Sequence, residues 1–571
     1  MKKTASLAIL ALLLSACSGL SKPPPLSDYT RESGGKLPPE YLAERLLTAD
    51  LSLRVDPERQ RIDATAVLVV QALEPLSSLA LDLDRNFEIR SVAIDRQPVA
   101  AAGWSNPEGQ LVIALPEPVA AGKPVEVTIE YGGKPHVAKR APWDGGFVWA
   151  QTEDGQPWVG TAVEGEGCDL FWPCIDHPTA EPETVDLHIS VPMPLVAPSN
   201  GVLLGVDEAD GWRTYHWRTH NPNTYAIALS IAPYKVLEGD YASRYGNTIP
   251  MRFWYLPGHE DEAAELFAEF PRMVDFFEQR IGPYPFASEK IGVVETPYKG
   301  MEHQTINAYG NHYVKDAHGY DDLLQHEFAH EWFGNQITNS DWDDMWLHEG
   351  FGTYMQPLYA QYLHGDMAYY AELDRQRAGI INRAPVVSGT PQHEEDVYNK
   401  ERGPGGDIYV KGSLVLHSLR ELIGDAAFFD ATRRLVYGRP DPEPGNFEPR
   451  YASTQDLVDA VTAATGVDYS WFFDVYIRQA ALPELLSQRE GDDLKLRWKV
   501  PGDKPFPMPV EVRVGSEVKR LPMQDGTGRV RAPADGMVTI DPHSKVLRRF
   551  EHVERFQAYR KAQEKKNATA K

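Results

Sequence analysis

The stretch from His326 to Phe351, HEFAHEWFGNQITNSDWDDMWLHEGF, constrains this chain more than any bulk property. On a helix, residues four apart share a face, so His326 and His330 can direct both imidazoles at one ion. Glu327 is rotated by about 100° from His326, beside such an ion rather than on it, where a base acting on water belongs. Eighteen residues separate His330 from Glu349. A carboxylate there, on a following helix, completes three ligands and leaves one coordination position open, as in a catalytic rather than a structural zinc site.

At 571 residues the chain exceeds what one hydrophobic core organises, so three or four domains are expected. A formal charge of −25 opposes a nucleic-acid partner, because neutralising a phosphate backbone needs a basic surface. Lys2 and Lys3 precede an apolar run, Leu7 to Leu14, too short to cross a bilayer and fitting a secretory signal. The next residues, Leu14-Ser15-Ala16-Cys17, resemble a bacterial lipobox. That resemblance implies loss of residues 1–16 and lipidation of Cys17. It also implies a protein anchored in the bacterial cell envelope, with Ser18 pointing to the outer membrane and the periplasmic side. A plain signal peptide is the alternative. Cys168 and Cys174 are the remaining cysteines. Extended strand would hold their α-carbons about 20 Å apart, beyond disulfide reach. Two buried free thiols are therefore expected, unless a turn folds that segment back.

Residues 17–40 are rich in Pro, Ser and Gly and read as a flexible tether. Across 41–245, apolar residues alternate at period two, as in RIDATAVLVVQA and TVDLHISVP, which predicts a β-rich domain of sandwich type. Across 246–482 helical spacing dominates, from EDEAAELFAEFPRMVDFFEQRIG to STQDLVDAVTAATG, predicting a mainly α catalytic domain. Residues 483–553 return to short strands such as DLKLRWKV and predict a small β-sandwich, and 554–571 read as a frayed basic tail. The expected fold class is multidomain α+β.

The metal motif, its eighteen-residue spacing and WLHEGF together are similar to the aminopeptidase N family of gluzincin metallopeptidases, which includes the leukotriene hydrolase branch. Four further segments match in order. FWPCIDHP from Phe171 resembles the family's P-C-x-D-x-P stretch, and KGMEH from Lys299 resembles its G-A-M-E-N exopeptidase strand. YVKGSLVLHSLR from Tyr409 resembles its Y-x-K-G-x-x-x-L helix, and TIDPHSKVLRRF the end of its small β-sandwich. The resemblance implies a thermolysin-like catalytic domain, one Zn2+ on His326, His330 and Glu349, and peptide substrates with a free N-terminus. It implies Glu327 as general base and Tyr409 as donor to the tetrahedral intermediate. It also implies Glu302 as ligand of the substrate ammonium, with Gly300 and Met301 on the strand that pairs with substrate backbone. Glu164 matches a second amine-binding acid contributed by the first domain.

The chain departs from the family pattern at several places. His303 replaces a usual asparagine, and Gly300 a frequent alanine. Glu331 is expected to add negative charge near the metal, and His348 to face outward. Asn335, Asp343 and Asp344 are candidate supports for the ligands. The sequence ends after the small β-sandwich, where many relatives carry a long helical domain, which implies a more open cleft. A zinc endopeptidase, or a catalytically silent peptide-binding lipoprotein of the envelope, are the rival readings; Glu302 and Glu164 argue against the first.

Overall fold

The computed structural model describes residues 25–445, 447–533 and 536–569. The expected signal segment, Cys17 and the start of the tether lie outside the described residues. No helix among the described residues is long and apolar enough to cross a membrane.

Period-two alternation in the first domain becomes a buried sheet face. Ile62, Ala64, Ala66, Leu68 and Val70 of strand Arg61–Ala72 point into the core, opposite Leu51, Leu53 and Val55 of Glu44–Asp56. These strands lie in the middle of an eight-stranded sheet, which a three-stranded sheet accompanies in the same core.

The catalytic sheet starts before the boundary expected at residue 245. Lys235–Ala242 pairs with Thr248–Tyr255 around Gly246, whose φ of +86° makes a hairpin turn of what reads as a linker. The sheet continues through Ile291–Glu295 and Asn307–Tyr309 to an edge strand, Gly300–Met301. Its two faces serve different cores. Trp254, Val294, Met301 and Ala308 join the core of the first domain. Phe253, Val293 and Tyr309 pack with the helices. The two three-stranded sheets at the C-terminal end share the helical core through Leu496, Trp498, Phe506 and Val512.

Three segments differ from expectation. The latter half of the tether is docked: Tyr29 and Tyr41 both donate to Asp82 Oδ1, at 2.7 and 2.5 Å, satisfying a buried carboxylate. The tail expected to fray is the helix Glu551–Thr569, tied down where the Gln557 amide donates to the carbonyls of Ala378 and Ile380. Cys168 and Cys174 form a disulfide instead of two thiols. A short 3-10 turn, Cys168–Leu170, follows Gly167 at φ +104° and brings the α-carbons to 6.3 Å, so the extended-strand assumption fails. The loop it closes follows Glu164 directly in sequence. Replacing both cysteines by serine is expected to cost about 2 kcal/mol, read as a lower Tm in a calorimetric scan.

Candidate active site

Helix Asp322–His330 starts at Asp321, whose carboxylate accepts from Leu324 N at 3.0 Å and from the Tyr309 hydroxyl at 2.6 Å. Leu324 and Phe328 hold one face in the core, and His326 and His330 emerge on the other, towards helix Trp346–His364. The His330 Nδ1–H donates to the Phe333 carbonyl at 2.8 Å, which fixes the tautomer and leaves Nε2 as a ligand atom. The two Nε2 atoms stand 3.1 Å apart. Glu349 Oε2 lies 3.3 Å from that of His326 and 3.6 Å from that of His330. Three corners of a tetrahedron with bonds of about 2.05 Å are about 3.3 Å apart, so these donors fit a zinc ion. Among the described residues this is the one group of three such side chains that converges tightly enough to hold a metal. Burial pushes the Glu349 carboxyl up, but contact with His326 and His330 holds it well below the usual carboxylate range. At Gly352 an added Cβ would sit 3.0–3.1 Å from both imidazole rings; glycine leaves them the space.

Helix Asp407–Ile423 crosses the glutamate helix backbone to backbone. A Cβ on Gly412 would lie 2.9 Å from the Gly350 Cα, and one on Gly350 3.1 Å from the Gly412 Cα. That approach sets Tyr409 beside the metal ligands, its ring 6.3 Å from that of His326. Burial, then the nearby Glu349 and Glu164, push its hydroxyl well above the ordinary range, so it keeps its proton and can donate. Because the obstacle at Gly412 is backbone, Gly412→Ala must push the helices apart. We expect kcat to fall at least about tenfold, as a misplaced catalytic group does, while metal content measured by mass spectrometry persists.

The helices, the edge strand and the first domain enclose a cavity of about 670 Å³, lined by His326, His330, Glu349, Glu327, Tyr409, Gly300, Met301, Glu302 and Glu164. Every expected site residue from Glu164 onward is thus brought to one cavity. Glu302 accepts from the Tyr225 hydroxyl at 2.7 Å, and Asn335 Nδ2 donates to its carbonyl at 2.9 Å. Asn335 therefore supports the segment that carries Glu302. Burial and then Glu302 push the Glu164 carboxyl well up. Glu327 is raised by burial too, with Glu302 and Glu349 raising it further against the pull of His330. Its Oε1 lies 2.4 Å from where a Cβ on Gly300 would fall, so the missing methyl is the space the carboxylate uses. Two residues of the site carry no signal in the motifs. Tyr225 comes from the first domain. Tyr398 stands with its hydroxyl 3.4 Å from Glu164 Oε1, 3.4 Å from Glu349 Oε1 and 3.5 Å from the Tyr409 hydroxyl.

One departure resolves differently from expectation. Glu331 turns away from the imidazoles, accepting from Asn307 Nδ2 at 2.8 Å and Thr305 N at 3.0 Å. Burial raises it to about 8, so at neutral pH it adds little negative charge. His348 is fully buried and faces away from the ligand set: its Nε2 accepts from Asn339 N at 2.8 Å, which leaves it no ligand role. His303 is also buried, and burial lowers it to about 3. Asp343 accepts from Ser388 N and Gly389 N, both at 2.7 Å, and Asp344 from Thr454 N at 2.8 Å and Oγ1 at 2.6 Å; both hold loops rather than ligands.

Residues 41–225 match the Peptidase M1 N-terminal domain and residues 268–476 the Peptidase family M1 domain. Among curated relatives, aminopeptidase B of Homo sapiens is 27% identical over 405 residues, 65% of this chain and 58% of its own length. Leukotriene A-4 hydrolase of Xenopus laevis is 25% identical over 401 residues, 66% of this chain and 63% of its own. This chain thus spans 58% and 63% of the length of these relatives, less than two thirds. An M1 zinc metallopeptidase of Deinococcus radiodurans, solved as a mutant with a Tyr-Ser-Ala substrate, superposes with a TM-score of 0.64 at 25% identity, over 77% of this chain and 96% of that one. With both domains matched and the zinc-type ligand set in place within the second, the chain belongs to the M1 peptidase family.

Proposed function

We propose that this protein is a zinc-dependent aminopeptidase that removes the N-terminal residue of peptides, with one Zn2+ on His326, His330 and Glu349. The observation that carries this reading is the placement of Glu302 and Glu164 in the same cavity as the three converging ligands. Two carboxylates at one end recognise an α-ammonium by charge-assisted hydrogen bonds and so fix which peptide bond lies at the reaction centre. Gly300–Met301, the edge strand that lines the cavity, can add the substrate as a further strand. When bound, zinc supplies a Lewis acid that polarises the scissile carbonyl and acidifies water. Glu327 takes the proton of the attacking water and returns it to the leaving amine. The Tyr409 hydroxyl donates to the oxygen on which negative charge develops. Tyr225 holds Glu302 in place through its hydroxyl.

The reading extends to location. A periplasmic site is supported by the Cys168–Cys174 disulfide, a bond that persists in oxidising compartments, and a lipid anchor on Cys17 rests on the lipobox-like Leu14-Ser15-Ala16-Cys17 alone. The activity is tested by incubating a ten-residue peptide with the zinc-loaded protein and following products by mass spectrometry. Stepwise loss of single residues from the N-terminus is expected. Internal cleavage would instead favour the endopeptidase reading, and no cleavage the silent binding protein.

A further inference from the structure

One acidic side chain of the cavity has no place in the chemistry above. Glu394 opens the short helix Glu394–Tyr398, is 9% exposed, and lines the same cavity as Glu302 and Glu164. Its Oε2 lies 3.8 Å from where a Cβ on Gly165 would fall, which sets the carboxylate against the residue next to Glu164. Its position is built: its own N–H donates to the Ser33 carbonyl at 3.2 Å, so the docked N-terminal segment holds the helix start in place.

A carboxylate this buried is costly unless it is hydrogen-bonded or paired with a cation. Glu278, for comparison, is buried and receives hydrogen bonds from Tyr241, Ser243 and Arg244. Among the described residues no such donor or cation reaches the Glu394 side chain. Of the basic groups that line the cavity, Arg140 pairs with Asp144 at 3.3 Å, Arg375 with both oxygens of Glu372, and Lys299 acts on Asp322 and Glu327, while Lys400 makes no ion pair with Glu394. Burial, then Glu166, Glu395 and Asp144, push the Glu394 carboxyl up, so its surroundings supply negative charge rather than relief. At the rim stands Trp143, 56% exposed, an aromatic face of the kind that attracts a cation.

Resting on the aminopeptidase reading, we infer that Glu394 is a specificity-determining residue that receives the cationic side chain of an N-terminal arginine or lysine. The α-ammonium is taken by Glu302 and Glu164, and the side chain of the same residue extends past Gly165 to Glu394, beneath Trp143. A guanidinium matches a carboxylate in two parallel hydrogen bonds, and a site built to bond it rejects a neutral isostere.

Citrulline has the shape of arginine without its charge, so it is the direct probe. The test compares kcat/KM for arginyl, citrullinyl and leucyl fluorogenic amides on the zinc-loaded protein and on Glu394→Gln and Glu394→Asp. We expect arginine to exceed citrulline at least tenfold in the natural protein. That ratio should collapse towards one in Glu394→Gln and be partly kept in Glu394→Asp. Hydrolysis of the leucyl substrate with no preference for arginine over citrulline overturns this inference and leaves the aminopeptidase reading intact. An arginine preference unchanged in Glu394→Gln overturns it as well. Turnover of none of the three overturns both. An arginine-to-citrulline ratio near one in the natural protein overturns the inference even if a variant fails to fold.

Discussion

Glu327→Gln is expected to lower kcat about 10²- to 10⁴-fold, the range that a positioned general acid–base contributes. Glutamine keeps the volume of glutamate, and the space over Gly300 that holds the carboxylate accepts it without displacing helix Asp322–His330. What is lost is the ability to take a proton from water and return it to the leaving amine. KM is therefore expected to change little, and metal content to stay at one ion per chain by mass spectrometry. A fall in metal content alongside the fall in kcat would mean that Glu327 supports the ligands rather than the chemistry.

The other large effect is expected on the metal. His330 is buried, donates through Nδ1 to the Phe333 carbonyl, and faces His326 and Glu349 through Nε2. His330→Ala removes one of three protein ligands and leaves Glu349 beside a single imidazole. Zinc affinity is expected to drop at least about 10³-fold, because the binding free energy of such sites is spread over few ligands. Activity should fall with it at stoichiometric zinc. The measurement is competition against a zinc-binding dye, and unchanged affinity would place the ion elsewhere.

The convergence of His326, His330 and Glu349 was legible in sequence because its geometry is local: one helix fixes His326, Glu327 and His330, and one following helix supplies Glu349. The alternation in RIDATAVLVVQA likewise maps onto one buried sheet face. What the sequence withheld are contacts made across the fold. Tyr225 reaches Glu302 from 77 residues away, and Tyr398 reaches Glu164 from 234. Nothing in the local text of either tyrosine signals its partner. Gly412 falls in the Y-x-K-G-x-x-x-L segment, but its close approach to Gly350 is visible only in the fold. The disulfide depended on a backbone turn at Gly167 that strand-like reading could not supply. Glu331 was misjudged because adjacency to a ligand in sequence says little about direction: on a helix the next residue points about 100° away.

The central claim is that two acids beside a zinc site make this an enzyme that reads a free N-terminus. It is tested most directly by comparing leucyl and arginyl fluorogenic amides with their N-acetylated counterparts, before and after a chelator and after zinc is returned. The account predicts turnover of the free amines, abolished by chelation and restored by zinc, with the acetylated compounds at least about 10²-fold poorer, since acetylation removes the charge that Glu302 and Glu164 bind. Equal turnover of acetylated and free substrates, or activity that survives complete removal of the metal, would contradict it.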